Sequence, residues 1–141
     1  MAAQPLKVLV WNMRGLNSSA PRNAIRQVVQ SANPVVVCLQ KTKLELVTVD
    51  IVRHCLGNRF ENFYYMPADG TRGGAAIFWD SSAVSIATQV IGQFSITARI
   101  SLIGSQNSFW LTTVYGPADE LRKDEFLAEI ARAAPSPGRL G

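Results

Sequence analysis

Residues 33–43 read Asn33-Pro34-Val35-Val36-Val37-Cys38-Leu39-Gln40-Lys41-Thr42-Lys43, an apolar run opened by a proline and halted abruptly by polar residues. A run this short, continuous and rich in β-branched residues fits a strand buried on both faces, as in α/β folds whose sheet is covered on both sides. Open α/β sheets gather their chemistry just beyond the carboxyl ends of such strands. The polar stretch from Gln40 to Lys43 is therefore where a site is expected.

The flanking chain supplies the neighbours such a strand needs. Residues 6–12 have the apolar density of a first strand, with Asn12 at its end and Gly15 to turn the chain. Residues 19–32 carry Pro21 early and Ile25, Val28, Val29 and Ala32 on one helical face, which leaves Arg22 and Arg26 outward. A helix between two strands predicts a parallel βαβ unit. A second helix is predicted over 45–56, from Leu46, Val49, Val52 and Leu56, with Gly57 to close it. Residues 60–66 and 75–79 read as a hairpin joined by turn material. Strands follow at 84–91, 94–103 and 108–114, and alternation from Ser95 to Leu102 predicts one wet face. A last helix over 119–133 starts acidic and carries Arg132 near its end, with Phe126, Leu127, Ile130 and Ala134 on one face. The Pro/Gly-rich residues 135–141 are expected to be a frayed, disordered tail, which leaves one domain over 1–134.

With 141 residues, 48% hydrophobic and 17% charged, the chain has the composition of a single globular domain with one core. No apolar run approaches the roughly 18 residues that span a bilayer, and residues 1–7 lack the apolar stretch of a secretory signal. A soluble, intracellular protein is expected, nuclear or cytoplasmic, with no membrane partner. Cys38 and Cys55 fit neither a metal spacing nor a disulfide framework and are expected to be buried thiols. The net charge of +4 is uneven: residues 1–59 hold eight Lys and Arg against Glu45 and Asp50, leaving the remainder at −2. Such a basic half suits a phosphate backbone, and a solvated basic face explains it equally well.

Four stretches, in order, carry a resemblance: Trp11-Asn12-Met13-Arg14-Gly15-Leu16-Asn17, Leu39-Gln40-Lys41-Thr42-Lys43, Gly73-Gly74-Ala75-Ala76-Ile77-Phe78-Trp79 and Val114-Tyr115-Gly116-Pro117. Together they resemble the endonuclease/exonuclease/phosphatase (DNase I-like) family, in the form carried by plant-type non-LTR retrotransposons. The resemblance implies an α/β fold, the N-terminal half of a four-layer sandwich with a mixed sheet and flanking helices. It also implies Mg²⁺-dependent hydrolysis of phosphate esters. An oxygen-coordinated Mg²⁺ would neutralise the phosphate while a histidine–carboxylate pair or an aspartate prepares water. By resemblance, Asn12 belongs to the metal and phosphate end of the site and Tyr115 hydrogen-bonds the scissile phosphate. Taken without the resemblance, Asn12 is a turn-forming residue after a strand, and Tyr115 an amphipathic residue at a core edge.

Where the family pattern has a metal-binding Glu, this chain has Lys41. An ammonium about 4 Å from a divalent ion is repelled by about 8 kcal/mol at an effective dielectric near 20. Mg²⁺ is accordingly expected for the family and not for this chain. Glu45, the nearest carboxylate in sequence, falls at the predicted helix start, where an acidic residue has an ordinary explanation. Lys41 itself could equally be a solvated strand-end residue. The family's later Asp-x-Asn and Asp-His elements have no counterpart after Pro117, and His54 falls inside a predicted helix. The expectation is a truncated, catalytically inactive domain that keeps Arg14, Lys41 and Lys43 for binding a DNA or RNA phosphate backbone. A truncated second sheet would bare an apolar face for a protein partner or second copy. An active endonuclease with a rearranged site is the alternative.

Overall fold

In the computed structural model, which describes residues 6–13, 15–69, 73–114 and 123–133, the buried run becomes the inner strand of a sheet. The elements are β1 (Val8–Asn12), α1 (Ser19–Ala32), β2 (Val36–Gln40), α2 (Val49–Leu56), a 3-10 turn (Asn58–Phe60), β3 (Asn62–Met66), β4 (Ala75–Trp79), β5 (Val84–Ile91), β6 (Ser95–Leu102), β7 (Ser108–Val114) and α3 (Lys123–Ala133). The first sheet runs β1-β2-β4-β3, with β1 parallel to β2 and the other pairs antiparallel. The predicted βαβ unit and hairpin are both present. A second, antiparallel sheet runs β5-β6-β7, with a register shift between Ile86 and Thr88.

Side chains alternating along the first sheet feed two layers of core, which is why β2 shows no polar alternation. Val37, Leu39, Ala76 and Phe78 pack with Ile25 and Val29 of α1, Val52, Cys55 and Leu56 of α2, and the fully buried Phe60. Val36, Cys38, Ala75, Ile77 and Trp79 point the other way, onto Val84 and Ile96, Ala98 and Ile100 of β6. One domain thus holds two clusters on opposite faces of one sheet, not the single core expected. Each large apolar side chain so buried stabilises the fold by about 1.5–3 kcal/mol.

Helix α1 stops where Asn33 turns left-handed at φ 53° and its N–H closes onto Val29 O, just before Pro34. Arg59 then ties the start of β2 to the end of β4, donating to Asp80 Oδ2 at 3.1 Å, Asn33 Oδ1 at 2.5 Å and Pro34 O at 3.0 Å. Burial alone would raise the Asp80 carboxyl, but hydrogen bonds from Ser82 and Arg59 outweigh it and hold the group below its ordinary value.

Three expectations need correction. Helix α2 begins at Val49, capped by the Thr48 side chain accepting from Ile51 N–H, so Glu45 and Leu46 lie in the preceding loop and Leu46 is 61% exposed. The wet face of β6 is dry at Ser95 and Thr97, and only Arg99 is open. At that end Glu129 of α3 accepts from Gln93 N–H, Phe94 N–H and Ser95 Oγ at 2.6, 2.9 and 2.7 Å. The apolar face that a truncated second sheet was expected to bare is covered on β2 and β4 by the sheet of β5, β6 and β7. Among the described residues β7 is its last strand, and on β1 Val10 remains 57% exposed. Both cysteines are buried and free, as expected. Residues 119–122 of the last predicted helix and the 135–141 tail lie outside the described residues. Among the described residues no helix is long and apolar enough to cross a membrane.

Candidate functional site

The parallel pair β1 and β2 ends side by side, with Asn12 opposite Gln40 and Met13 N–H donating to Gln40 O at 2.7 Å. By the two-residue period of a strand, Asn12 shares a face with Val8, and Gln40 with Val36 and Cys38, so both amides stand on the side of the second sheet. Asn12 is exposed and Gln40 half-buried. Gln40 was not singled out from sequence, although its place as the last residue of the buried strand was a signal.

Beyond Gln40 the backbone takes an alternating path: Lys41 at φ 57°, Thr42 buried, Lys43 at φ 57°. Left-handed φ costs a side-chain-bearing residue about 1–2 kcal/mol, so neighbouring structure must impose it twice. It does so from both sides. Lys41 N–H donates to Gly74 O at 2.8 Å and Lys43 N–H to Gly73 O at 2.7 Å, while Leu16 N–H donates to Thr42 O at 2.8 Å and Asn17 Nδ2 to Lys43 O at 2.9 Å. Gly74, at φ +82°, has to be glycine: a Cβ there would stand 3.0 Å from Thr42 Oγ1 and 3.1 Å from Met66 O. A Cβ on Gly73 would meet Lys41 Cα at 3.3 Å, and one on Gly15 would meet Lys43 Cδ at 3.3 Å. The loop is thus gripped between two glycine segments, with Thr42 turned into the protein and both lysines exposed.

The sequence-predicted site residues divide accordingly. Asn12, Lys41 and Lys43 are brought to one end of one sheet. Arg14 and Tyr115 lie outside the described residues. His54 stands exposed in the last turn of α2 and Glu45 is exposed in the loop before it, away from the helix start assigned from sequence.

Among the described residues, Asn12, Gln40, Lys41, Thr42 and Lys43 offer these strand ends neutral amides, a hydroxyl and two ammoniums, whereas Mg²⁺ is held through carboxylate oxygens. Among the described residues no group of three or more His, Cys, Asp or Glu could hold a metal ion. These residues do not fit the cation. Because Lys41 is exposed, its repulsion of a divalent ion falls toward about 2 kcal/mol in bulk water, so the lack of an attracting carboxylate counts for more. Cys38, behind Gln40 on β2, offers no ligand either, since burial pushes its thiol up to about 12.

A mixed α/β architecture with helices on the first sheet and a second sheet behind it defines a DNase I-like fold. The chain belongs to the endonuclease/exonuclease/phosphatase family, whose model matches residues 9–140. Among solved structures it is similar to humanized D. rerio TDP2 carrying 14 mutations, at 18% identity and a TM-score of 0.65 over 90% of this chain and 58% of that one. D. rerio TDP2 complexed with single strand DNA product matches at 18% identity and TM-score 0.60, over 92% of this chain and 56% of that one. The AP endonuclease LMAP from Leishmania major matches at 21% identity and TM-score 0.56, over 93% and 45% respectively. The chain therefore spans about half the length of these structures. No curated protein matches it.

Proposed function

We propose that this chain is a DNase I-like domain of plant-type non-LTR retrotransposon origin, without phosphodiesterase activity, that binds the backbone of a nucleic acid weakly. The observation that carries this reading is the carboxyl end of β2, where exposed Lys41 stands in the place of the family's metal-binding Glu and, among the described residues, no group of three or more His, Cys, Asp or Glu could hold a metal ion. Arg14, Lys41 and Lys43 form the basic shell that meets phosphate, and Asn12 and Tyr115 are assigned to it by resemblance to the family. The retroelement origin is supported by the resemblance of residues 11–18 and 33–43 to the plant-type non-LTR version of the family. Nucleic-acid binding is supported by the basic first half and by the single-stranded product held by D. rerio TDP2. Supercoiled plasmid incubated with the protein and Mg²⁺ should stay supercoiled. Nicked circles that vanish with Asn12→Ala would instead establish an active, rearranged endonuclease.

A specific observation favours a second reading, association with another copy of the chain. Strand β1 is an edge of its sheet, and the second sheet leaves Val10 open beside it. Such an edge presents unpaired backbone groups to any partner strand. Light scattering over a range of concentrations tests this reading, and a constant monomer mass removes it.

A further inference from the structure

We infer that Lys41 and Lys43 form a phosphate clamp that works without a divalent cation, an inference that rests on the nucleic-acid reading above and adds how the site is charged. Two features separate these lysines from an ordinary solvated pair. Both have left-handed backbones, at φ 57°, on either side of the inward Thr42, and both peptide N–H groups are committed to the Gly73 and Gly74 carbonyls. The backbone here is consumed as an anion donor, so the attraction resides in the ammoniums. Glycine at 15 and 73 leaves room for the stems: a Cβ on Gly15 would stand 3.3 Å from Lys43 Cδ, and one on Gly73 would stand 3.4 Å from Lys41 Cγ.

The clamp stands at the end of the strand pair where Asn12 and Gln40 present amides. A phosphodiester oxygen there meets positive charge from the protein itself, and among the described residues no group of three or more His, Cys, Asp or Glu could hold a bridging cation. Each ammonium that replaces a condensed counterion adds about 0.7 to the salt slope of single-strand binding. The ligand class is a single-stranded phosphodiester backbone, read as charge and without base preference.

The test uses the full chain and a fluorescein-labelled oligothymidylate followed by anisotropy, in EDTA and in Mg²⁺ at matched ionic strength. The expected result is the same affinity in both. Lys41→Gln with Lys43→Gln should weaken binding about tenfold and flatten the log-log salt slope by about 1.4. Lys41→Gly with Lys43→Gly removes the same charges while accepting the left-handed backbone, and should give the same loss with no fall in Tm. Arg26→Gln, on the exposed face of α1, should leave affinity and slope within error. Binding that needs Mg²⁺, a salt slope unchanged in both lysine variants, or no binding by the wild-type chain would each overturn the clamp. Plasmid nicking in Mg²⁺ would overturn the inactive reading while leaving cation-free, lysine-dependent binding intact, so the two failures are told apart.

Discussion

At the scale of residues, the loop after β2 and the thiol inside it show opposite degrees of legibility. Cys38 announced itself, because a small apolar residue between Val37 and Leu39 has nowhere to go but the core, and burial pushes its thiol from 9.0 up to about 12. The folded state therefore holds that proton more tightly than the unfolded chain. The stability involved is complete below pH 9 and declines as pH rises from 9 toward 12, by at most about 1.4 kcal/mol per pH unit. Cys55, raised chiefly by burial and partly offset by Arg22, acts in the same direction. Denaturant midpoints should fall across this range and fall less steeply in Cys38→Ala, after allowing for that variant's own cavity cost. Lys41 was also legible as a charge out of place, but its left-handed backbone was not. Nothing in a lysine side chain asks for φ 57°; Gly73, Gly74 and the 15–17 segment impose it from outside the local sequence.

At the scale of elements, periodicity succeeded where one layer decided burial and failed where a distant element did. Helix α1 and strands β4, β5 and β7 have the bounds the pattern implied, because α1 shows a single apolar stripe and the strands are short runs set off by turns. Helix α2 was started too early because Leu46 and Val49 happen to fall at helical spacing. The better signal was Thr48, whose hydroxyl caps Ile51 N–H at 3.3 Å. The dry polar residues of β6 were illegible for another reason: α3 lies more than twenty residues downstream and brings Glu129 back onto them. One carboxylate accepting from Gln93, Phe94 and Ser95 fixes the helix to the sheet. Glu129→Ala leaves three donors to find water and should cost about 2 kcal/mol or more. Hydrogen exchange should speed up in α3 and the β5–β6 turn while α1 and α2 keep their protection.

At the scale of the whole molecule, the family and the mixed sheet were readable from four short motifs. The resemblance also implied a sandwich of layers, but which residues of the two sheets meet was not readable, because that is settled by pairings across many residues. Among the described residues the second sheet has β7 at one edge, and Val10 on β1, an edge of the first sheet, stays 57% exposed. If a second copy uses that edge, Val10→Lys should abolish any rise in mass with concentration, since an inward-facing charge on an edge strand opposes pairing. Unchanged self-association in Val10→Lys would place the contact elsewhere.

Strand β2 also has no local partner. Val36 pairs with Val8 on one side and with Trp79 on the other, so both its ladders close long loops of chain. Assembly must bring three remote segments together before the middle is rewarded, which makes for slow, all-or-none folding kinetics. A nascent chain that has not yet delivered residues 75–79 holds an apolar ribbon with one bare side, the interval in which it is most prone to aggregate.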